Sequence, residues 1–391
     1  MSKTRAQRYG LAGALCGSLA VALTLGLALP EAASQDRSIA GSVQVGYLHV
    51  LDERRARSER QIFDGPIGEV TLKMSVDFSE QIAAQIKLCY GCHGFEVDMG
   101  YIDVYVADEL NLRIGRFNPA FGDFPLRHDP ANHKTIDKPL PYAMGKMLYR
   151  EDYGLGILPS PYVDTGIEVN GTHWFGNKLE LDYAVYLVGG LRGSAGGINY
   201  KESRSGAAYY VDNNSQPALG GRFTATLDFS LDFTTTLGVS GMRGTYDPLN
   251  HNRYTIVGTD LYARMGRFDL RVEYLIRRMD ISLGTDPASQ FKFGPKNDRW
   301  AEYEIRDGFY SELTYELSPE IELLARVDGL RRFGNAPKGS PLSARSSVYR
   351  ITPALNYRIG FSARIKVQGE YYQFSDYENE VVLGASLAAV F

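Results

Sequence analysis

A five-residue run in this 391-residue chain has the residue types and the spacing of a cofactor-attachment site. It reads Cys89-Tyr90-Gly91-Cys92-His93, which is the Cys-x-x-Cys-His pattern of c-type heme. In that pattern the two thiols form thioethers to the heme vinyl groups, and the histidine binds the iron from the proximal side. The run therefore predicts one heme c, held by Cys89, Cys92 and His93.

Two other interpretations of the same residues stay open. A Cys89–Cys92 disulfide would staple a tight turn in an oxidising compartment, although it assigns no role to His93. A metal site of the Cys2His2 type would add His128 or His133 to the two thiols, with a spacing that is not diagnostic.

A heme in this chain would also need a sixth iron ligand. The segment 121–163 offers two histidines and two methionines that are chemically able to bind iron, namely His128, His133, Met144 and Met147. A histidine ligand would give a lower reduction potential than a methionine ligand. The prolines of this segment restrict its backbone, so these candidate distal ligands lie on a stiffened loop.

The first 34 residues have the features of a secretory signal peptide. Lys3, Arg5 and Arg8 form a positive start, an apolar run covers 11–29, and small residues at 32–34 offer a cleavage site. A transmembrane helix is the alternative, because the apolar run is long enough to span a bilayer. We adopt the signal peptide, which leaves 35–391 as a single exported domain.

The composition narrows the class of protein. The formal net charge is −4, so no excess of basic residues favours binding to nucleic acid. The mean hydropathy of −0.23 argues against a helical membrane protein and suits a β-barrel with a water-filled interior. Neither Gly-x-Ser-x-Gly, His-Glu-x-x-His nor a phosphate-cradling Gly-Lys-Ser/Thr motif occurs, and we predict a protein that is not an enzyme.

Alternation of apolar and polar residues predicts β-strands along the whole exported domain. The clearest case is the C-terminal segment, whose apolar face is Val381, Leu383, Ala385, Leu387, Ala389 and Phe391. Segments near 70–78, 268–277, 321–328 and 361–370 likewise place apolar residues on one face and charged residues on the other. This pattern indicates an all-β fold, a transmembrane antiparallel β-barrel with its apolar face toward lipid.

The connections between these strands alternate between short and long. Short turns fall near 78–80, 107–110, 176–178, 229–232, 266–268, 317–320 and 358–361, and the third of the longer loops, 121–163, is the longest. Seven short turns separate eight pairs of strands, so we predict about sixteen strands. A soluble β-sandwich would show the same strand alternation, but the strict order of short and long connections favours the barrel.

One segment resembles a known family. Residues 111–122, NLRIGRFNPAFG, are similar to the strand that leads into the third loop of the phosphate-selective porins, the O and P porins. The resemblance implies a homotrimeric channel in the outer membrane of a Gram-negative bacterium, with its long third loop folded into the lumen. It also implies anion binding by basic side chains, but the inward positions here carry acidic residues as well, and phosphate selectivity is not predicted.

These features together predict an outer-membrane porin-like channel with one heme c near its outer mouth. One heme does not cross a hydrocarbon core of about 30 Å, so electron transfer would require a cytochrome redox partner. The other expected partners are outer-membrane lipid and small solutes or ions. The alternative is a passive solute porin, anion-preferring, with a Cys89–Cys92 disulfide and no heme. The candidate pore-lining residues are Arg113, Arg264, Arg271, Arg326, Arg364 and Lys366.

Overall fold

The computed structural model describes residues 36–51, 62–91, 94–143, 156–194, 196–199, 203, 212–293 and 299–391. The predicted signal peptide at 1–34 lies outside these residues. The regular secondary structure of the described residues is almost entirely β-strand, and the main sheet closes into a single antiparallel barrel. The predicted fold class is therefore confirmed.

The barrel has sixteen strands, the number predicted from the turns. Numbered here in chain order, they are β1 Arg37–Val50, β2 Gly65–Ser79, β3 Ile82–Gly91, β4 Gly94–Ala107, β5 Leu110–Phe117, β6 Asp164–Phe175, β7 Leu179–Val188, β8 Ala218–Ser230, β9 Phe233–Thr245, β10 Arg253–Met265, β11 Phe268–Asp280, β12 Tyr303–Glu316, β13 Ile321–Phe333, β14 Arg345–Ile359, β15 Ala363–Phe374 and β16 Glu380–Val390. Each strand pairs with the next, and β16 pairs with β1 to close the barrel, with Ser42 opposite Val390 and Val50 opposite Val382.

The strand period of two gives each strand one inward and one outward face. On β10, Tyr254, Ile256 and Asp260 are buried inside the barrel, whereas the intervening Thr255 and Val257 are exposed on its outer surface. Large apolar residues are exposed on the outer face around the barrel, including Leu187, Val239, Leu313, Ile351 and Leu383. In a barrel whose outer face meets lipid, such residues contact hydrocarbon rather than water.

The interior is less polar than the sequence predicted. Toward the ends that carry the long loops, part of the inward face is apolar, with Leu48, Tyr254, Ile256, Leu275 and Tyr310 almost fully buried. Their partners are apolar residues of the connection between β5 and β6, among them Phe121, Phe124, Leu140 and Tyr142. In this part of the lumen, a hydrophobic core beside buried charged side chains takes the place of the expected water.

The connection between β5 and β6 is called the third loop below, and its described parts, 118–143 and 156–163, supply that core and lie inside the barrel. It begins after Phe117, ends before Asp164, and contains two short 3-10 helices at Phe124–Arg127 and Leu140–Tyr142. The prediction that this loop folds into the lumen is confirmed. Among the described residues, no helix is long and apolar enough to cross a membrane.

Two small sheets lie in other loops. One pairs Gly193–Ser194 with Gly197–Ile198, and the other pairs Phe291–Phe293 with Ala336–Pro337 next to a one-turn helix, Pro287–Gln290. Both belong to connections at the same end of the barrel as the third loop.

Candidate functional site

The third loop is fixed to the barrel wall by Lys366 of β15. This lysine faces the lumen near the short-turn end of β15 and is 0% exposed. Its Nζ donates to the backbone carbonyls of Pro130, His133 and Thr135 at 2.6, 2.8 and 2.9 Å, and to Oε1 of Gln44 at 3.0 Å. Three of its four acceptors therefore belong to the loop.

A second attachment centres on Asp137 of the loop. Arg326 of β13 donates to Asp137 Oδ1 at 3.0 Å, and its other nitrogen donates to Thr135 Oγ1 at 2.6 Å. Arg350 of β14 forms ion pairs with both Asp137 and Asp328. These four charged side chains are all at most 2% exposed, so each charge is balanced by its neighbours rather than by water.

A third attachment holds the start of the loop on Glu273 of β11. The backbone N–H groups of Asp123 and Phe124 donate to its two carboxylate oxygens at 3.2 and 3.4 Å, and the Tyr142 hydroxyl donates to the same carboxylate. Gly122 adopts a φ of +67°, and a side chain there would collide with Glu273 and Tyr142. Glycine at this position therefore permits the loop to approach the wall.

A fourth attachment lies on the opposite side, at Lys87 of β3. The Lys87 ammonium is 0% exposed and lies 2.7 Å from Asp129 of the loop and 3.0 Å from Asp98 of β4. Lys73 of β2 reaches the same Asp129 at 2.8 Å. The basic neighbours hold the pKa of Asp129 well below its usual range despite its burial. The loop is thus tied to strands on both sides of the lumen.

His128 is part of this fourth attachment. Its Nε2 is 2.7 Å from Lys87 Nζ, and its Nδ1 is 2.6 Å from the carbonyl of Pro125. Because the ammonium only donates, Nε2 must accept and the proton must lie on Nδ1. Burial, followed by the charge of Lys87, lowers the pKa of His128 to about 4. His128 therefore uses one ring nitrogen toward Lys87 of the wall and the other toward Pro125 within the loop, and binding iron would require one of these contacts to break.

His133 is buried in the same loop. Its ring packs against Phe124, with centroids 5.8 Å apart, and burial lowers its pKa well below the usual value. Its Nδ1 has no hydrogen-bond partner among the described atoms. Two of the candidate distal iron ligands, His128 and His133, are described. Between them, it is His133 whose Nδ1 could bind iron without the loss of a described hydrogen bond. The other two, Met144 and Met147, lie outside the described residues.

The heme motif is described only in part. Cys89 is half-buried near the end of β3, on the same face as Lys87, and lies opposite Thr71 and Glu96 in the neighbouring strands. This agrees with the predicted inward position of its thiol. Cys92 and His93 lie outside the described residues, so heme attachment, the disulfide and the Cys2His2 site all stay predictions. Within the described part of the chain, no group of three or more His, Cys, Asp or Glu side chains is arranged to hold a metal ion.

The six predicted pore-lining cations do not form one continuous row of side chains that solutes in the lumen could contact. Arg326 and Lys366 are buried against the third loop, and Arg271 pairs with Asp123 of the loop at 2.8 Å. Arg113 pairs with Asp103 at 2.7 Å and lies 3.6 Å from Glu168, whereas Arg364 lies 3.5 Å from Glu322 and Arg264 is exposed. Half of this set therefore fixes the loop.

Sequence reasoning missed Lys87, Glu273 and Arg350 as attachment residues. All three occupy inward positions in the middle of their strands, where no turn or loop end explains a charge. A buried charge requires a partner, and the long third loop is rich in polar groups. A charged residue on the inner face in the middle of a strand, together with a long loop folded inward, could therefore have predicted these attachment residues from the sequence.

The two loop histidines predict a stability that depends on pH. The pKa of His128 is about 4 in the folded protein and about 6.5 in the unfolded chain. As the pH falls, the unfolded chain therefore binds a proton before the folded protein does, and the free energy of unfolding should decrease between about pH 6.5 and 4. His128 alone would contribute a loss of about 3 kcal/mol over that window. Urea unfolding at stepwise pH should show a smaller loss for His128→Gln. His251→Gln is the matched control, because His251 is an exposed loop residue, and it should show the same loss as the wild type. If the free energy of unfolding of His128→Gln depends on pH as that of the wild type does, the assignment is contradicted.

Comparisons with known proteins place the fold among outer-membrane barrels. No family model and no curated protein matches the chain, so the resemblance to the phosphate-selective porins stays a prediction. An anion-selective porin from Comamonas acidovorans has a similar structure, with a TM-score of 0.56 and 10% identity, over 92% of this chain and 100% of that one.

Two further solved structures are similar to a comparable degree. The outer membrane channel DcaP of Acinetobacter baumannii has a TM-score of 0.54 and 10% identity, over 93% of this chain and 99% of its own. OmpF of Salmonella typhi, in complex with daunomycin, has a TM-score of 0.54 and 11% identity, over 91% of this chain and 97% of its own. At such identities the similarity concerns the fold alone, and it extends over nearly the whole of each barrel.

Proposed function

We propose that this protein is an outer-membrane channel for small solutes or ions, in which the attached third loop limits the open part of the lumen. The observation that carries this proposal is the third loop lying inside a closed barrel and bonded to the wall on both sides. The similar structures support the proposal, because they include a porin and an outer membrane channel.

The outer surface of the barrel supports a location in the outer membrane of a Gram-negative bacterium. Its mid-strand apolar residues are about half exposed, for example Val239 at 53% and Ile351 at 52%. Aromatic residues such as Phe175 and Phe268 are exposed on the outer face at the strand ends next to the short turns, where an interface girdle would lie. We include a homotrimer in the proposal, since one similar structure, OmpT of Vibrio cholerae, is a trimer form.

Removal of the Lys366 ammonium should open the channel. Lys366→Met keeps a side chain of similar length but leaves three buried loop carbonyls without their donor, at a cost of about 1–3 kcal/mol for each acceptor. The loop should then leave the wall for part of the time. We expect single-channel conductance in planar bilayers to rise and to fluctuate between levels.

Lys178→Met is the matched control. Lys178 is exposed in the short turn between β6 and β7, and its replacement by methionine removes the same charge. It should conduct as the wild type does. Heat-modifiable migration on gels would verify that both variants form the barrel. A folded Lys366→Met barrel with wild-type conductance would show that the loop does not limit the passage.

We retain the heme as a second element of the proposal, in which the channel carries heme c on Cys89, Cys92 and His93. The supporting observation is the inward face of Cys89 at the end of β3 that leads to the outer hairpin. A heme there could exchange electrons at the outer mouth, with a cytochrome partner for transfer across the membrane. Without heme, the same barrel would act as a passive porin with a Cys89–Cys92 disulfide.

Co-expression with heme-maturation proteins separates these two forms. A covalent heme should give a Soret absorbance that survives denaturation and is lost in Cys89→Ala/Cys92→Ala. The measured mass of the protein should exceed that of the polypeptide by the mass of one heme. A colourless protein whose mass corresponds to a disulfide would eliminate the heme and leave the channel proposal intact.

A further inference from the structure

A pocket opens into the lumen at the end of the barrel that carries the short turns. It has a volume of about 590 Å³, and its lining comes from β4, the turn after β4, β5 and β6. The aromatic and polar side chains that line it are Tyr105, Asp108, Asn111, Thr172 and Trp174. We call this cavity the aromatic pocket. Its volume is in the range of sites that hold small molecules.

Strand register places the lining of the aromatic pocket on the inner face of the barrel. Tyr105 of β4 lies opposite Asn111 of β5. Thr172 and Trp174 are two residues apart on β6 and so share one face. The Thr172 hydroxyl donates to Asp182 of β7 inside the barrel at 2.6 Å. The pocket therefore faces the lumen rather than lipid.

Two aromatic rings of the pocket are accessible from the lumen. Tyr105 is 44% exposed and Trp174 is 52% exposed. Exposed aromatic residues on the outer face of a membrane barrel contact lipid, but these two lie on the inner face, where no lipid covers them. Aromatic surface exposed inside a cavity, with a few polar groups beside it, is typical of a site that binds a small molecule.

The charge that lines the pocket is negative. Of the described residues in its lining, only Asp108 is charged. Asp108 lies in the turn between β4 and β5, and its backbone carbonyl accepts a hydrogen bond of 2.9 Å from the N–H of Thr172. This bond fixes the turn against β6, so the carboxylate of Asp108 stays beside the two rings.

Further carboxylates lie next to the pocket on β7 and β8. Glu180 of β7 is opposite Trp174, and the charges that act on Glu180 are those of Asp182 and Asp228. Asp182 and Asp228 accept hydrogen bonds from threonine hydroxyls of the wall, which stabilise a carboxylate without neutralising its charge. This side of the lumen therefore attracts cations.

The basic side chains near the pocket do not cancel this charge. Arg113 of β5 pairs with Asp103 at 2.7 Å and lies 3.6 Å from Glu168. His173 lies between the inward Thr172 and Trp174 and packs against a phenylalanine of the outer face. Lys178 is exposed in the turn after β6, where water and salt screen its charge.

We propose that the aromatic pocket binds small organic cations, such as quaternary ammonium compounds. A cation is attracted to the face of an aromatic ring, most strongly to that of tryptophan, and a nearby carboxylate adds a direct charge interaction. The apolar substituents of the ammonium would pack against Tyr105 and Trp174. A neutral sugar could stack on the same rings, but it would not use the negative charge that surrounds them. This inference concerns binding alone and does not depend on conduction through the barrel.

Isothermal titration of the detergent-solubilised full barrel with choline, in a buffer of low ionic strength, tests the proposal. A polyoxyethylene detergent is suitable, because it contains neither a quaternary ammonium group nor a sugar. We expect saturable binding at one site, weakened about fivefold to tenfold in Trp174→Leu, which is the size expected for one cation–π contact. Trp174→Phe should weaken binding less, because it keeps an aromatic face. Asp108→Asn should weaken it and reduce its dependence on salt.

Two neutral ligands separate the charge of choline from its shape. The alcohol in which carbon replaces the nitrogen of choline has the same shape without the charge, and glucose tests for a sugar site. Neither should bind in the concentration range in which choline saturates the barrel. A merely structural role for Trp174 would not distinguish choline from its neutral analogue.

Phe175→Leu is the matched control. Phe175 follows Trp174 on β6, is 54% exposed and faces outward, so this variant should bind choline as the wild type does. Heat-modifiable migration on gels would verify that each variant forms the barrel. Absence of saturable choline binding, equal binding of the neutral alcohol or of glucose, wild-type affinity in a folded Trp174→Leu barrel, or an equal loss in Phe175→Leu would each overturn the proposal.

Discussion

The burial of cationic side chains in the lumen is the constraint on which the rest of this structure depends. A charged group removed from water costs several kcal/mol unless nearby groups satisfy it. Lys87, Arg326, Arg350 and Lys366 are each at most 1% exposed. Most of their partners belong to one segment of the third loop, 128–138. The barrel wall therefore keeps these charges inside only as long as the loop stays in place.

The third loop in turn depends on the barrel wall for hydrogen-bond partners. An irregular segment inside a barrel has backbone groups that no helix or sheet satisfies, and each must find another partner. Lys366 accounts for three loop carbonyls, Glu273 for two N–H groups, and Asp328 for the N–H of Leu140 at 2.9 Å. Apolar contacts complete the fit, since Phe124 stacks on Tyr142 with centroids 5.4 Å apart and meets Tyr310 edge-on. Loop and wall form one packed unit, which explains why the lumen half near the long loops has a hydrophobic core.

Much of the barrel could be predicted from the sequence, because strand alternation and turn spacing are local properties. The alternation in β16 and the seven short turns were enough for the fold class and for sixteen strands. Alternation also assigns each charge to the inner face, as it did for Arg326 and Lys366. It does not identify the partner across the lumen, because that partner lies more than 180 residues away for Arg326 and more than 230 for Lys366. These two residues were therefore predicted to line water, although they fix the loop.

The central claim, that buried cations hold the third loop in the lumen, has a direct chemical test. The folded barrel can be treated with a water-soluble amine-acylating reagent, and the modified lysines can be quantified by mass spectrometry. The account predicts that Lys87 and Lys366, both 0% exposed, stay unmodified while the exposed Lys178 and Lys338 react, and that all four react after denaturation. Modification of Lys87 and Lys366 at the rate of Lys178 in the folded barrel would contradict it.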